Sequence, residues 1–121
     1  MADEVRVTFQ MTVANGNYSD SFAKTASYSM SAIGAASGIQ SIGTSEENLV
    51  TTDITTNGFL ILQNLDSTNY VDYGLDNAGT MRGIGRIKAG EFAWLRMKPA
   101  TSLRLQANGG AVQIRFLLLN D

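Results

Sequence analysis

The chain has 121 residues, is 44% hydrophobic and carries a formal net charge of −2, which suits one domain with one core and is too short for two ordinary ones. It contains no cysteine and no histidine. That excludes a disulfide framework, a thiol nucleophile, a Ser–His or Cys–His pair and the usual acid/base of neutral pH, and it removes the commonest zinc ligand.

Twelve glycines against one proline, with many Ser, Thr and Asn, point to short strands joined by turns. The start, MADEVRVTFQ, has no basic region followed by an apolar stretch, so it does not read as a signal peptide. No apolar run approaches the ~20 residues that span a bilayer. Synthesis in a cytoplasm and no membrane partner are therefore expected.

Glu4 to Ala14 alternates, with Val5, Val7, Phe9, Met11 and Val13 on one face and Arg6, Thr8, Gln10 and Thr12 on the other. This is a long half-buried strand, ended by a turn at Asn15-Gly16-Asn17. Farther on, Ala26, Tyr28, Met30 and Ala32 alternate with Thr25, Ser27, Ser29 and Ser31. A helical spacing of Phe22, Ala26, Met30 and Ile33 competes, but Ser, Thr and Tyr are poor helix-interior residues, so strand is preferred. Ile39 to Gly43 and Leu49 to Ile54 predict short strands, with Glu46-Glu47 as a solvated loop between them.

Phe59 to Leu65 is a strand, Asp66 to Asn69 a four-residue turn, and Tyr70 to Leu75 a returning strand. A hairpin there sets Asn64 opposite Val71, Leu62 opposite Tyr73 and Leu60 opposite Leu75. Asp76 to Gly79 is a loop, and Met81 to Ile87 a strand broken by Gly83 and Gly85. Gly90 to Asn120 predicts three consecutive antiparallel strands, Glu91 to Met97, Ser102 to Ala107 and Ala111 to Leu119. Asn108-Gly109 suits a type I′ turn, which sets Leu105 opposite Val112 and Leu103 opposite Ile114, with Arg104 opposite Gln113.

The charge is uneven. Met1 to Met81 holds two basic and nine acidic residues, and Arg82 to Asp121 seven basic and two acidic. Either strands of both halves interleave and the charges mix, or one body carries an acidic and a basic patch suited to contacts between copies.

Residue patterns that suggest chemistry each have a plainer account. Gly83-Ile84-Gly85 with Arg86 and Lys88 matches no phosphate-binding motif, and glycines that let a strand bulge explain it. Asp66, Asn69, Asp72 and Asp76 do not follow calcium-loop spacing, and turn capping explains them. Nothing places Glu46, Glu47, Asp53 and Glu91 together as paired carboxylates. No metal, cofactor or catalytic residue is assigned. Arg82, Arg86, Lys88, Arg96, Lys98, Arg104 and Arg115, with Phe92 and Trp94, suggest a nucleic-acid groove. The acidic overall charge argues against that partner, and Phe92 and Trp94 share a strand face as core or interface residues do. In the last strand Ile114, Phe116 and Leu118 take one face and Arg115, Leu117 and Leu119 the other. A strand apolar on both faces lies between two layers or under another subunit.

Three segments carry a resemblance. They are NLVTTDITTNGFLILQNLDSTNYVDYG (Asn48 to Gly74), GRIKAGEFAWLRM (Gly85 to Met97) and the closing SLRLQANGGAVQIRFLLL. Together they resemble small virion structural proteins of tailed bacteriophages, over roughly three fifths of the chain. The resemblance implies a β-sandwich or jelly-roll protein present in many copies on a virion, such as a capsid decoration (cement) protein. It carries no catalytic residue with it.

The expected fold is all-β: one antiparallel β-sandwich or jelly-roll-like domain over residues 1–121, of eight to ten short strands, with Met1 to Glu4 as a flexible arm. The expected function is non-enzymatic. The protein self-associates, with a trimer favoured, and binds the major capsid protein to stabilise the capsid. The expected contact residues are Arg96, Lys98, Arg104, Arg115, Leu117 and Leu119. A tail or neck component, or a glycan-binding module, is the alternative.

Overall fold

The structure, a computed structural model, describes residues 4–30, 34–51, 54 and 56–121. The described residues form ten β-strands and no helix. The all-β expectation holds. The chain divides into two compact units, Met1–Ser31 and Ala32–Asp121. The sandwich anticipated over 1–121 is built by the second unit. The anticipated arm lies outside the described residues, Glu4 excepted.

The first unit is a two-stranded hairpin of β1 (Val5–Asn15) and β2 (Tyr18–Tyr28) in unbroken antiparallel register from Val5↔Tyr28 to Asn15↔Tyr18. Gly16 takes φ 59° as the first of the two loop residues, the position where a type II′ turn wants glycine. The strand preference for the Ala26 region is borne out as far as Tyr28, where β2 ends; Ser29 and Met30 lie beyond the strand. Ala32 and Ile33 lie outside the described residues.

The second unit has two four-stranded antiparallel sheets. The first runs β3 (Ala35–Ile42), β10 (Val112–Asn120), β5 (Asn57–Asn64), β8 (Phe92–Arg96), and the second β4 (Glu47–Asn48), β9 (Leu103–Ala107), β6 (Val71–Asn77), β7 (Thr80–Ile87). Renumbered within the unit, these orders are 1-8-3-6 and 2-7-4-5, a double-sheet jelly roll made of Greek keys. The strand predicted at Leu49 to Ile54 does not form at Leu49, Val50 or Thr51, and Thr52 and Asp53 lie outside the described residues.

Two predicted hairpins are corrected. β9 and β10 do not pair: β9 bonds β4 and β6, and β10 bonds β3 and β5. Nor do β5 and β6, which also sit in different sheets. Alternation shows that Leu103, Leu105, Val112 and Ile114 share an environment, but not whether they lie side by side or face to face. Here they face one another, so each sheet covers the other's apolar side. Neither Asn108 nor Gly109 has a positive φ, so no type I′ turn forms there. Instead the Asn108 N–H donates to the Tyr70 carbonyl (3.2 Å) and its Oδ1 accepts the Tyr70 N–H (2.9 Å). The paired positive φ values fall at Ala78 (53°) and Gly79 (87°), in the two-residue loop of the β6–β7 hairpin.

The core between the sheets includes Ile42, Leu60, Leu62, Val71, Ile87, Leu105, Val112, Ile114 and Leu118, each at most 1% exposed. Each such side chain stabilises the fold by about 1.5–3 kcal/mol. Gly83 and Gly85 serve a bulge, as expected. The β6–β7 register shifts at Tyr73/Gly74, and a Cβ on Gly85 would overlap the Tyr73 ring.

Glu46 and Glu47, anticipated as a solvated loop, are brace residues. The Met81 N–H donates to Glu46 Oε1 (2.6 Å), and the Gly43 N–H to Glu47 Oε2 (3.0 Å).

Candidate interface on the outer face of the first sheet

The outer faces of the two sheets differ in kind. On the second sheet, charges from both halves of the sequence meet. Arg86 makes a two-point pair with Asp72 (2.6 and 3.1 Å) and stacks over the Tyr70 ring at 3.8 Å. The Asp72 hydrogen bond holds the Arg86 guanidinium above its ordinary pKa. Arg104 lies among Asn48 Oδ1 (3.1 Å), the Glu46 carbonyl (3.3 Å), the Glu46 carboxylate (3.5 Å) and Asp76 (3.8 Å). This face is laced with ion pairs, with Arg86 exposed and Arg104 largely buried among its partners. The interleaved reading of the charge asymmetry holds here.

The first sheet has an apolar outer face. The same alternation that buries Ile114, Phe116 and Leu118 turns Arg115, Leu117 and Leu119 outward on β10, the second strand of the sheet. Cross-strand register then builds rows. Ser37, Leu117, Ile61 and Trp94 form one, and Ile39, Arg115, Gln63 and Phe92 the next. Ile39 is 60% exposed, Phe92 63%, Ile61 40% and Leu117 37%.

At the β8 edge the Phe59 and Trp94 rings stack at 5.2 Å between centroids. The Arg96 guanidinium lies 5.0 Å from the Phe59 ring centre and pairs with Asp121. On the other side of β5, Gly58 permits a close approach to β10, because a Cβ there would lie 2.9 Å from the Leu119 carbonyl oxygen, where β10 shifts register against β5. A groove of about 320 Å3 runs over Ser37, Ile61, Gln63, Arg115 and Leu117. Arg115 has no ion pair among the described residues.

Of the six residues anticipated as contacts, Arg96, Arg115, Leu117 and Leu119 share this face. Lys98 lies in the β8–β9 turn, where its carbonyl accepts the Thr101 hydroxyl (2.6 Å). Arg104 lies on the other sheet, held by Glu46, Asp76 and Asn48. The structure adds Ile39, Ile61 and Phe59 to the face. Ile61 was legible, since FLILQNL is apolar at both parities. Ile39 was not, because a single isoleucine among Ser and Gly gives no face.

Comparison with known protein families, with curated proteins and with solved structures returns no match. The residues themselves therefore carry the functional reading.

The oxygen-rich segment from Asp66 to Asp76 is occupied by its own backbone and by arginine. Asp66 accepts the Thr68 and Asn69 N–H groups at 2.9 and 2.6 Å, and these bonds hold its carboxyl below the ordinary value. Asp76 accepts the Gly79 N–H (2.9 Å). The basic residues that suggested a nucleic-acid groove divide between the two sheets: Arg82 and Arg86 lie on β7, and Arg96 and Arg115 on the first sheet.

Proposed function

We propose that this protein is a non-enzymatic structural module that self-associates and docks the outer face of its first sheet onto a larger assembly, as a decoration protein on a virion capsid. The observation that carries the reading is the contrast between the two faces. One sheet is covered by paired charges, while the other presents Ile39, Ile61, Phe92 and Leu117 with Arg115 among them. A patch of that kind on a small domain marks an interaction surface. Aromatic and arginine side chains are also the groups that anchor interfaces. The mechanism is burial: the face closes over a junction between capsid subunits and adds contact area that resists expansion. The resemblance of the three segments to tailed-phage structural proteins supplies the assembly. The jelly-roll order agrees with it by fold-level analogy alone.

The experiment is co-sedimentation with empty capsids. The wild type pellets with them. Leu117→Lys and Phe92→Asp, both at exposed positions where folding stability changes little, leave the protein in the supernatant. Equal pelleting by the variants and the wild type, or no pelleting by any of them, overturns the reading.

A further inference from the structure

The β1–β2 hairpin poses a separate question. Its register puts Val5, Val7, Phe9, Met11 and Val13 on one face with Tyr18, Asp20, Phe22, Lys24, Ala26 and Tyr28. None of the described residues of either strand is buried. Tyr18 is 60% exposed, Phe22 55% and Met11 50%. The Phe9 and Phe22 rings meet at 6.1 Å, and a shallow groove of about 370 Å3 runs from Phe9 to Tyr18. A two-stranded ribbon by itself is at best marginally stable in water, so this face needs a cover.

Phe22 is the centre of an antisymmetric pattern. Asp20 and Lys24 lie two residues to either side of it on the same face of β2, and Tyr18 and Ala26 lie four residues to either side. Consider two ribbons packed face to face at the usual ~10 Å sheet spacing, related by a twofold axis that lies between them and crosses the strands at Phe22. Each β2 then lies antiparallel over the other. Asp20 of each copy falls over Lys24 of the other, Tyr18 over Ala26, Phe9 over Val13, and Phe22 and Met11 over themselves. Opposite charges meet twice, Tyr18 and Phe9 meet the smaller Ala26 and Val13, Val7 falls over Asn15, and Phe22 and Met11 stack on their own copies at the centre. A twofold contact requires self-complementarity of this kind. Asp20 is already oriented, accepting the Ser21 N–H at 2.8 Å with the Tyr18 hydroxyl 3.4 Å from its other oxygen. Lys24 has no ion pair among the described residues.

We propose that the apolar face of the β1–β2 hairpin is a self-docking surface, on which a second copy of the chain seats face to face about a twofold axis at Phe22, with Asp20 and Lys24 paired across it. This rests on the proposed function only for the expectation that copies associate; the surface and its residues are different ones.

The test is charge reversal, read as mass in solution by analytical ultracentrifugation, with no capsid present. The wild type associates at micromolar concentration. Asp20→Lys sets lysine over Lys24, and Lys24→Asp sets aspartate over Asp20. Each weakens association about tenfold or more, because like charges then face each other twice per pair of chains. The double variant D20K/K24D restores it, because the reversed charges again face opposite ones. Far-UV circular dichroism confirms that each variant keeps its strands.

A monomeric wild type overturns the proposal. So do single reversals that associate as the wild type does, or a folded double variant no better than the singles. If the hairpin variants change only capsid binding, the face belongs to the capsid and the proposal also fails. Leu117→Lys separates the two readings: loss of its effect on capsids with the charge-reversal pattern intact removes the proposed function alone.

Discussion

The side chain of Asn64 donates to the backbone carbonyl of Ile87 at 3.0 Å, and so ties the end of β5 in the first sheet to the end of β7 in the second. The same Nδ2 donates to the Asn69 carbonyl (2.9 Å), and Oδ1 accepts the Asp66 N–H (2.8 Å). Asn64 is 1% exposed, so water cannot replace these bonds.

Asn64→Ala removes all three bonds and strands two carbonyls and an N–H. It is expected to lower stability by roughly 2–4 kcal/mol in urea unfolding. Asn64→Asp is expected to do at least as badly, because a carboxylate oxygen would face the carbonyls of Asn69 and Ile87. A loss below about 0.5 kcal/mol in both variants, within the range of an ordinary surface change, would mean that the pin contributes nothing.

Ala78 and Ala100 hold φ of 53° and 65°, in the left-handed region that costs a residue with a Cβ about 1–2 kcal/mol. Glycine relieves that strain but gains freedom in the unfolded chain. The net expectation for Ala78→Gly or Ala100→Gly is about 0.5–1 kcal/mol of added stability, seen as a Tm higher by a few degrees. A fall in Tm for either variant would show that its turn is not strained.

The Asp66 carboxyl has its pKa lowered by hydrogen bonds from Asn69 and then Thr68. The unfolded chain therefore binds this proton more readily than the folded one. The stabilisation is complete above the ordinary aspartate value of 3.8 and is lost as pH falls through the lower folded value. In Asp66→Asn this part of the acid limb is expected to vanish, so the dependence of stability on pH below about 4 becomes shallower. Superimposable acid limbs for the two proteins would refute the assignment.

The sequence was informative where one residue reports on its own surroundings. Alternation placed β1 and β10 and sorted Ile114, Phe116 and Leu118 from Arg115, Leu117 and Leu119. Glycines marked the bulge opposite Tyr73. It was not informative about partners. Leu105 and Val112 give the same pattern as cross-strand neighbours in a hairpin or as opposed residues across a core, and the Asn108-Gly109 dipeptide favoured the wrong choice. Ala78 gave no sign of a positive φ, since alanine is a poor choice for it. The candidate interface was half legible for the same reason. Leu117, Leu119 and Ile61 stand out on their own strands, whereas Ile39 joins them only through the pairing of β3 with the distant β10.

β10 is the last strand of its sheet in chain order, yet it lies between β3 and β5. On the ribosome, β3 and β5 therefore wait with bare edges until Val112–Asn120 has been made, and among the described residues of this unit only the β6–β7 pair can form from adjacent strands. The jelly roll is assembled by closing long loops rather than by zipping neighbours, which is the slow regime of folding. Folding of this unit is thus an event that follows synthesis of its final strand, and a chain shortened by those residues would lack the middle of a sheet rather than an edge.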